Sequence, residues 1–190
     1  TTERVAILAR QVLTRHGVLT REALAAEGIN GGFSAIYPAL KAMDDAGRLR
    51  RGYFVAGHGA TQFALPGALD LLRSLRNAGP DPHAVVMAAT DPANPYGTSL
   101  TWPLPDLTRV VGASVVIVDG GMAVYVARGD REIAVSLPAD EPFLSRTARA
   151  AASGLMSFGR GDRGHPRPMF IERINDTPAL VHPFAVFLEE

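Results

Sequence analysis

Within residues 31–66, GGFSAIYPALKAMDDAGRLRRGYFVAGHGATQFALP, the hydrophobic period changes once, and that change constrains what the surrounding chain can become. Phe33, Ile36, Tyr37, Leu40 and Met43 recur every three or four residues, which puts one apolar stripe on one face of a helix. Gly47 ends that helix, because glycine takes left-handed backbone geometry at a C′ position without a Cβ clash. From Leu49 to Val55 the period is two, and Gly57-His58-Gly59 turns the chain back into Thr61–Leu65. A helix that feeds directly into a glycine-tipped, arginine-bearing hairpin is the layout of a winged helix. Arg50 and Arg51 fall where a wing meets a phosphate backbone.

The flanks fit the same layout. Residues 3–16 form a first helix with Val5, Leu8, Ala9, Val12 and Leu13 inside, Gly17 ends it, and Val18-Leu19 is a short strand. Thr20 caps a second helix, and residues 28–32 turn into the third. Pro38 costs about 3 kcal/mol inside a helix; with Gly32 or Ser34 as the cap it falls in the first turn, where its missing N–H matters least. Pro66 opens a fourth helix, with Leu69, Leu72 and Leu75 expected to face inward. Residues 77–83, NAGPDPH, have linker composition and set the expected boundary between a domain at 1–76 and another at 84–190.

The second part changes character. Residues 84–89 and 113–118 read as apolar strands, Asp119-Gly120-Gly121 as a hairpin turn, and 122–127 and 131–137 as returning strands. A helix is expected at 142–152, a basic loop at 160–167, a strand at 169–174, a turn at Asn175-Asp176 and an extended piece at Leu180-Val181. Antiparallel strands with one packed helix make this an α+β, barrel-like domain. The chain reads as an excised piece: it has no initiator Met, and the amphipathic pattern at 183–190 stops as soon as it starts.

Composition narrows the classes. The chain has 190 residues, no cysteine and a formal charge of zero, which excludes disulfides and thiolate zinc sites and fits the cytosol. The balance is uneven, however. Residues 1–76 hold ten arginine and lysine residues against six acidic ones, whereas 77–190 hold nine against thirteen. No apolar run is long enough to span a membrane. Lys41, the one lysine, follows Leu40, so no G-x-x-x-x-G-K-[ST] phosphate loop exists here. His16, His58, His83, His165 and His182 show no paired ligand spacing, and no metal site is expected.

At GFSAIYPALKAMDDAGRLRRGYFVAG and ATQFALPGALDLLR the sequence resembles the C-terminal region of the large helicase-related family, Lhr. The likeness continues through ATDPANPYGTSLTWP and GASVVIVDGGMAVYVARGDREI, so it covers nearly the whole chain. The resemblance implies a non-motor fragment of a superfamily 2 ATP-dependent DNA helicase associated with DNA repair, located with the nucleoid in the cytoplasm. It also implies a winged helix followed by a β-barrel, an arrangement similar to winged-helix DNA glycosylases. ATP and magnesium would belong to the parent's helicase core, with no cofactor in this piece. The implied partners are DNA and the rest of the parent helicase, with a homo-oligomer as a further possibility. His58 stands where the family leads one to expect an apolar residue, and the family's extreme C-terminus is missing.

Three groups of residues are candidates for function. The DNA-binding set is Ser34, Lys41, Arg48, Arg50, Arg51, His58 and Gln62, because a winged helix presents its third helix to a groove and its wing to phosphate. Asp44 and Asp45 argue the other way, for an ordinary solvated face on a packing module. The second group is Asp91 and Asn94 as catalytic residues, with Tyr96 and Trp102 as a base-stacking pocket. Its plain alternative is a turn whose aromatics cover the end of a barrel. The third is Arg146, Arg149, Arg160, Arg163, His165 and Arg167, either a second phosphate track or a solvated loop. The rival functions are a glycosylase-like base-excision domain and an oligomerisation module.

Overall fold

The computed structural model describes residues 2–59, 61–75, 81–160 and 168–189. The chain divides into two compact units, one of Thr1–Ala78 with Thr98–Leu100 and the other of the remaining residues.

The first unit runs α1 (Thr2–His16), β1 (Val18–Leu19), α2 (Arg21–Ala26), α3 (Gly32–Asp45), β2 (Arg50–Gly52), β3 (Gln62–Ala64) and α4 (Pro66–Leu75). Its sheet has the order β1-β3-β2, all antiparallel, with Leu19 and Arg51 both opposite Phe63. Ala9, Val12 and Leu13 of α1, Leu24 of α2, Ile36 and Leu40 of α3 and Phe63 of β3 are buried together. Phe33, Tyr37 and Phe63 pack around this core in tilted and edge-on pairs, with ring centroids 5.7–6.5 Å apart. Thr20 Oγ1 accepts the Ala23 N–H at 3.1 Å and caps α2 as expected. At the other end of α3, Gly47 has φ +71° and the Arg48 N–H returns to the Met43 carbonyl at 2.9 Å. That reach-back occupies one of the carbonyls a helix end leaves open.

Two expectations fail in this unit. Pro38 lies in the seventh position of α3, not its first turn, because the helix starts at Gly32 with Gly31 as its cap. A proline there cannot donate to the Ser34 carbonyl, but Ser34 and Pro38 are both exposed, so water can reach that carbonyl. In α4 no residue is buried, and Leu71, Leu72 and Leu75 are exposed. The amphipathic spacing is real; it finds no core within the unit.

The second unit is an α+β layer structure: β4 (Ala84–Ala88), β5 (Ser114–Val118), β6 (Gly121–Val126), β7 (Glu132–Val135), α5 (Phe143–Arg160), β8 (Arg173–Ile174), β9 (Thr177–Pro178), a 3-10 turn at Ala179–Val181 and α6 (Ala185–Glu189). The six strands follow chain order, β4-β5-β6-β7-β8-β9. β7 and β8 pair parallel because the α5 crossover joins them, and every other pair is antiparallel. Among the described residues β4 and β9 end the sheet, so it is open and not a closed barrel. Asp119 and Gly120, with φ of +48° and +86°, make the tight β5–β6 turn.

All five residues of β5 are buried, which requires cover on both sheet faces. On one face, Ala148, Ala151, Ala152 and Leu155 of α5 pack on Val116, Val118, Val124 and Val126. On the other, the segment between β4 and β5 supplies Ala89, Tyr96, Trp102 and Leu107 against Val115, Ile117, Met122 and Tyr125. α5 runs well past the expected end at Ala152. At Gly154 a Cβ would meet Val116 Cγ1 at 2.9 Å, so the glycine lets this longer helix settle onto the sheet. The Leu180-Val181 piece expected to be extended is the 3-10 turn, and the strand expected at 169–174 pairs only at Arg173–Ile174.

Candidate nucleic-acid interface and loop site

The DNA-binding set divides by what each side chain does in the fold. Gln62 is fully buried. Its Oε1 accepts the Phe54 and Val55 N–H groups at 2.8 Å each. Its Nε2 donates to the Val55 and Gly59 carbonyls at 2.9 and 3.1 Å. The β2–β3 ladder stops at the Gly52–Gln62 pair. Beyond that point one amide side chain replaces the missing main-chain partner, which is why the expected strand through Val55 is short. Gln62 builds the wing from inside.

His58 also turns inward. Its Nδ1 lies 2.9 Å from Glu22 Oε2 of α2, both atoms are buried, and they are not aligned as a good hydrogen bond. The His58 ring is the largest cause holding the Glu22 carboxyl below its usual range, followed by the Glu22 main chain. The wing tip is thus tied to the second helix.

Arg50 and Arg51 do not act as a pair. Adjacent strand residues point to opposite faces, and Arg51, opposite Phe63, turns toward the helices, where its Nε lies 3.7 Å from Asp44 Oδ2. Arg50 lies on the other face. Ser34, Lys41, Arg48 and Arg50 are exposed. Lys41, Arg48 and Arg50 have no ion-pair partner among the described residues. Along α3, Ala35, Pro38 and Ala42 are exposed beside Ser34, Lys41 and Asp45.

Asp91, Asn94, Tyr96 and Trp102 do come together, in the segment that covers the second face of the larger sheet. Asn94 is buried; its Nδ2 donates to the Ala89 carbonyl at 2.8 Å and its Oδ1 accepts the Tyr96 N–H at 3.0 Å. Asp91 is half-buried, and its Oδ1 accepts the Ala93 N–H at 2.8 Å. The Tyr96 hydroxyl donates to the Gly120 carbonyl and accepts the Met122 N–H, both at 3.0 Å. Trp102 stacks on Tyr96 with centroids 5.9 Å apart and meets Tyr125 edge-on at 5.6 Å. At Gly97, with φ +76°, a Cβ would lie 2.6 Å from Trp102 Nε1, so only glycine fits. The two rings pack on each other and on the sheet.

Arg109, which sequence reasoning passed over, locks this segment. Its Nη1 donates to the Asn94 and Tyr96 carbonyls at 2.7 and 3.1 Å, and its Nη2 to those of Asp91 and Thr90 at 3.0 and 3.3 Å. The available signal was an arginine at the mouth of an apolar strand run, where its five donors need nearby acceptors. In the third group, Arg149 lies 5.8 Å from the Phe187 ring centroid, Arg146 is partnered, and Arg160 ends α5. Arg163, His165 and Arg167 lie outside the described residues, as does much of the expected 77–83 linker. Among the described residues no group of acidic and histidine side chains could hold a metal ion, and no helix is long and apolar enough to cross a membrane.

A three-helix core with an antiparallel wing, followed by an open sheet under one long helix, defines a winged-helix module joined to an α+β unit. Residues 1–84 match the family described as "Large helicase-related protein, winged-helix domain". The chain belongs to the large helicase-related family, and the matches support its C-terminal region. It is similar to "Lhr helicase/ probable uracil glycosylase" of Mycolicibacterium smegmatis, 43% identical over 187 residues, covering 94% of this chain and 12% of the relative. It is also similar to "Lhr helicase/uracil glycosylase" of Escherichia coli, 34% identical over 197 residues, covering 100% of this chain and 12% of the relative. The chain thus spans about an eighth of the length of each relative.

Proposed function

We propose that this chain is a non-motor part of a larger DNA-repair helicase and that its winged helix holds DNA by the phosphates, without reading sequence. The observation that carries this reading is the exposed trio Lys41, Arg48 and Arg50, unpaired among the described residues beside a wing braced by Gln62 and His58. Base reading is strongest with amide or guanidinium forks in a groove, and α3 exposes none: its outward side chains are Ser34, Ala35, Pro38, Lys41, Ala42 and Asp45. Phosphate contacts give position and salt-dependent affinity but no sequence information. ATP and magnesium would act in the motor of the parent, outside these residues.

The test is binding to labelled duplex and single-stranded DNA across a salt series. Three phosphate contacts give a slope of log K against log salt near −3 on duplex, and Lys41→Ala, Arg48→Ala and Arg50→Ala should each remove about one unit. All three positions are exposed, so the fold should survive each change. Negligible binding at low salt, or a slope indifferent to all three variants, would overturn the reading.

A second reading rests on the names of the relatives, both of which include a uracil glycosylase. Asp91 is then the residue to examine, because its side chain is half-buried and takes one main-chain donor. Asn94 is less suited, since both ends of its amide are occupied within the loop. Release of free uracil from a uracil-containing strand, lost in Asp91→Asn with the Trp102 emission unchanged, supports it. No uracil release by the unaltered chain would end it for this piece.

A further inference from the structure

Among the described residues β4 is an edge of the six-stranded sheet and pairs only with β5. Two bonds fix which of its main-chain groups face that neighbour: the Asp119 N–H donates to the His83 carbonyl at 3.1 Å, and the Ala89 N–H to the Ala113 carbonyl at 2.9 Å. Direction alternates along a strand, so Val85 and Met87, in register with Ile117 and Val115, also face β5. Ala84 and Val86 therefore aim N–H and carbonyl outward, and Ala88 aims its N–H outward. The Ala88 carbonyl is already taken by the Asp91 N–H at 2.9 Å. The five outward groups of Ala84, Val86 and Ala88 that remain have no hydrogen-bond partner among the described residues. The strand, AVVMA, carries neither charge nor proline, the usual devices that blunt an open edge.

Beside this edge lies a cavity of about 440 Å³. Ala84 and Val86 form its floor, and Ala150, Ser153, Ser157 and Phe158 of α5 form its wall. Among the described residues no Asp, Glu, Lys or Arg lines it. Gly154 of α5 sits over the strand: a Cβ there would stand at ordinary contact distance, 3.4–3.5 Å, from Ala84 and Val86, and 2.9 Å from Val116 of β5.

We propose that this edge docks an extended, uncharged peptide segment of a partner protein, added as a further strand beside β4 with an apolar side chain in the cavity. The outward N–H and carbonyl groups recognise main chain in β geometry, and the cavity selects the side chain, as in other cases of strand addition. A strand of five residues offers far less than the roughly 1,000 Å² a folded partner needs for a specific interface. A short peptide segment suits it better than a second copy of this chain.

The test uses the 190-residue chain and a capped hexapeptide of alternating valine and threonine, followed by amide hydrogen exchange and chemical shifts. In the free chain the Ala84 and Val86 amides should exchange at least about tenfold faster than those of Val85 and Met87. The peptide at about 1 mM should slow them about tenfold, and the same peptide N-methylated on its edge-facing residues should not. Ser157→Trp, at an exposed position on the cavity wall, should weaken the peptide about fivefold or more by filling the cavity. Protection of Ala84 and Val86 without peptide would overturn the proposal: if independent of protein concentration the chain covers its own edge, and if it grows with concentration a second copy does. Equal binding of the N-methylated peptide, or no shift at all, would also overturn it.

Discussion

Gln62 and Val55 exchange two hydrogen bonds, side chain to main chain, with the Val55 N–H donating to Oε1 at 2.8 Å and Nε2 donating to the Val55 carbonyl at 2.9 Å. The pair continues the wing where strand pairing has ended. Gln62→Leu should cost about 2–4 kcal/mol, since four bonds of about 1 kcal/mol each are lost and some of the freed groups regain water. Chemical denaturation measures the loss, and faster hydrogen exchange at Phe54 and Val55 locates it. A Gln62→Leu chain of unchanged stability would refute this role.

Asp44 holds Arg51 at 3.7 Å, with the arginine side chain still half exposed. An exposed pair at that distance contributes little to stability, so Asp44→Asn should leave the fold intact. It frees Arg51 and removes a carboxylate that repels phosphate. DNA binding should tighten, with the salt slope steeper by up to about one unit. Weaker binding in the Asp44→Asn chain would count against a phosphate path along α3 and β2.

Arg109 gathers four main-chain carbonyls from Thr90 to Tyr96, and Arg109→Met removes all four bonds at once. Bonds from a charged donor contribute about 1.5–3 kcal/mol each and do not add, so a loss of about 3 kcal/mol is expected. Trp102 is the sole tryptophan and stacks on Tyr96 in the same segment. Its emission should shift to the red as water reaches it, at denaturant concentrations where far-ultraviolet dichroism is unchanged. Emission that moves only with global unfolding would show that the aromatic packing holds the segment unaided.

His182 accepts the Phe184 N–H on Nδ1 at 3.1 Å, and burial lowers its pKa below the ordinary histidine value. A lowered folded-state value means the unfolded chain takes up the proton first. Stability is therefore full above the ordinary histidine range and falls as pH drops through that range toward the folded value. Thermal melts across mildly acidic pH should show this decline, and His182→Asn should flatten it. A decline of equal slope in the variant would assign it to other groups.

Local chemistry made much of this legible in advance. The stripe Phe33–Ile36–Tyr37–Leu40–Met43 is a core face, Thr20 is a cap, and Asp119-Gly120 is a turn. These follow from spacing and backbone preference, which neighbours in sequence control. The site was less legible. Arg50 and Arg51 looked like one basic patch until strand alternation separated them, and Gln62 and His58 looked like surface groups until the wing folded over them.

The sequence alone determined the order and type of the main elements and the two apolar periods, because helix and strand patterns depend on residues a few positions apart. Only the tertiary structure decided which polar groups are spent and which are free. Asn94, Gln62 and Arg109 read as three polar side chains, but each is consumed by main-chain groups brought near it by folding. The open sheet was likewise a tertiary outcome. Whether β4 meets β9 depends on the twist and length of every strand between them, and no local pattern encodes that sum.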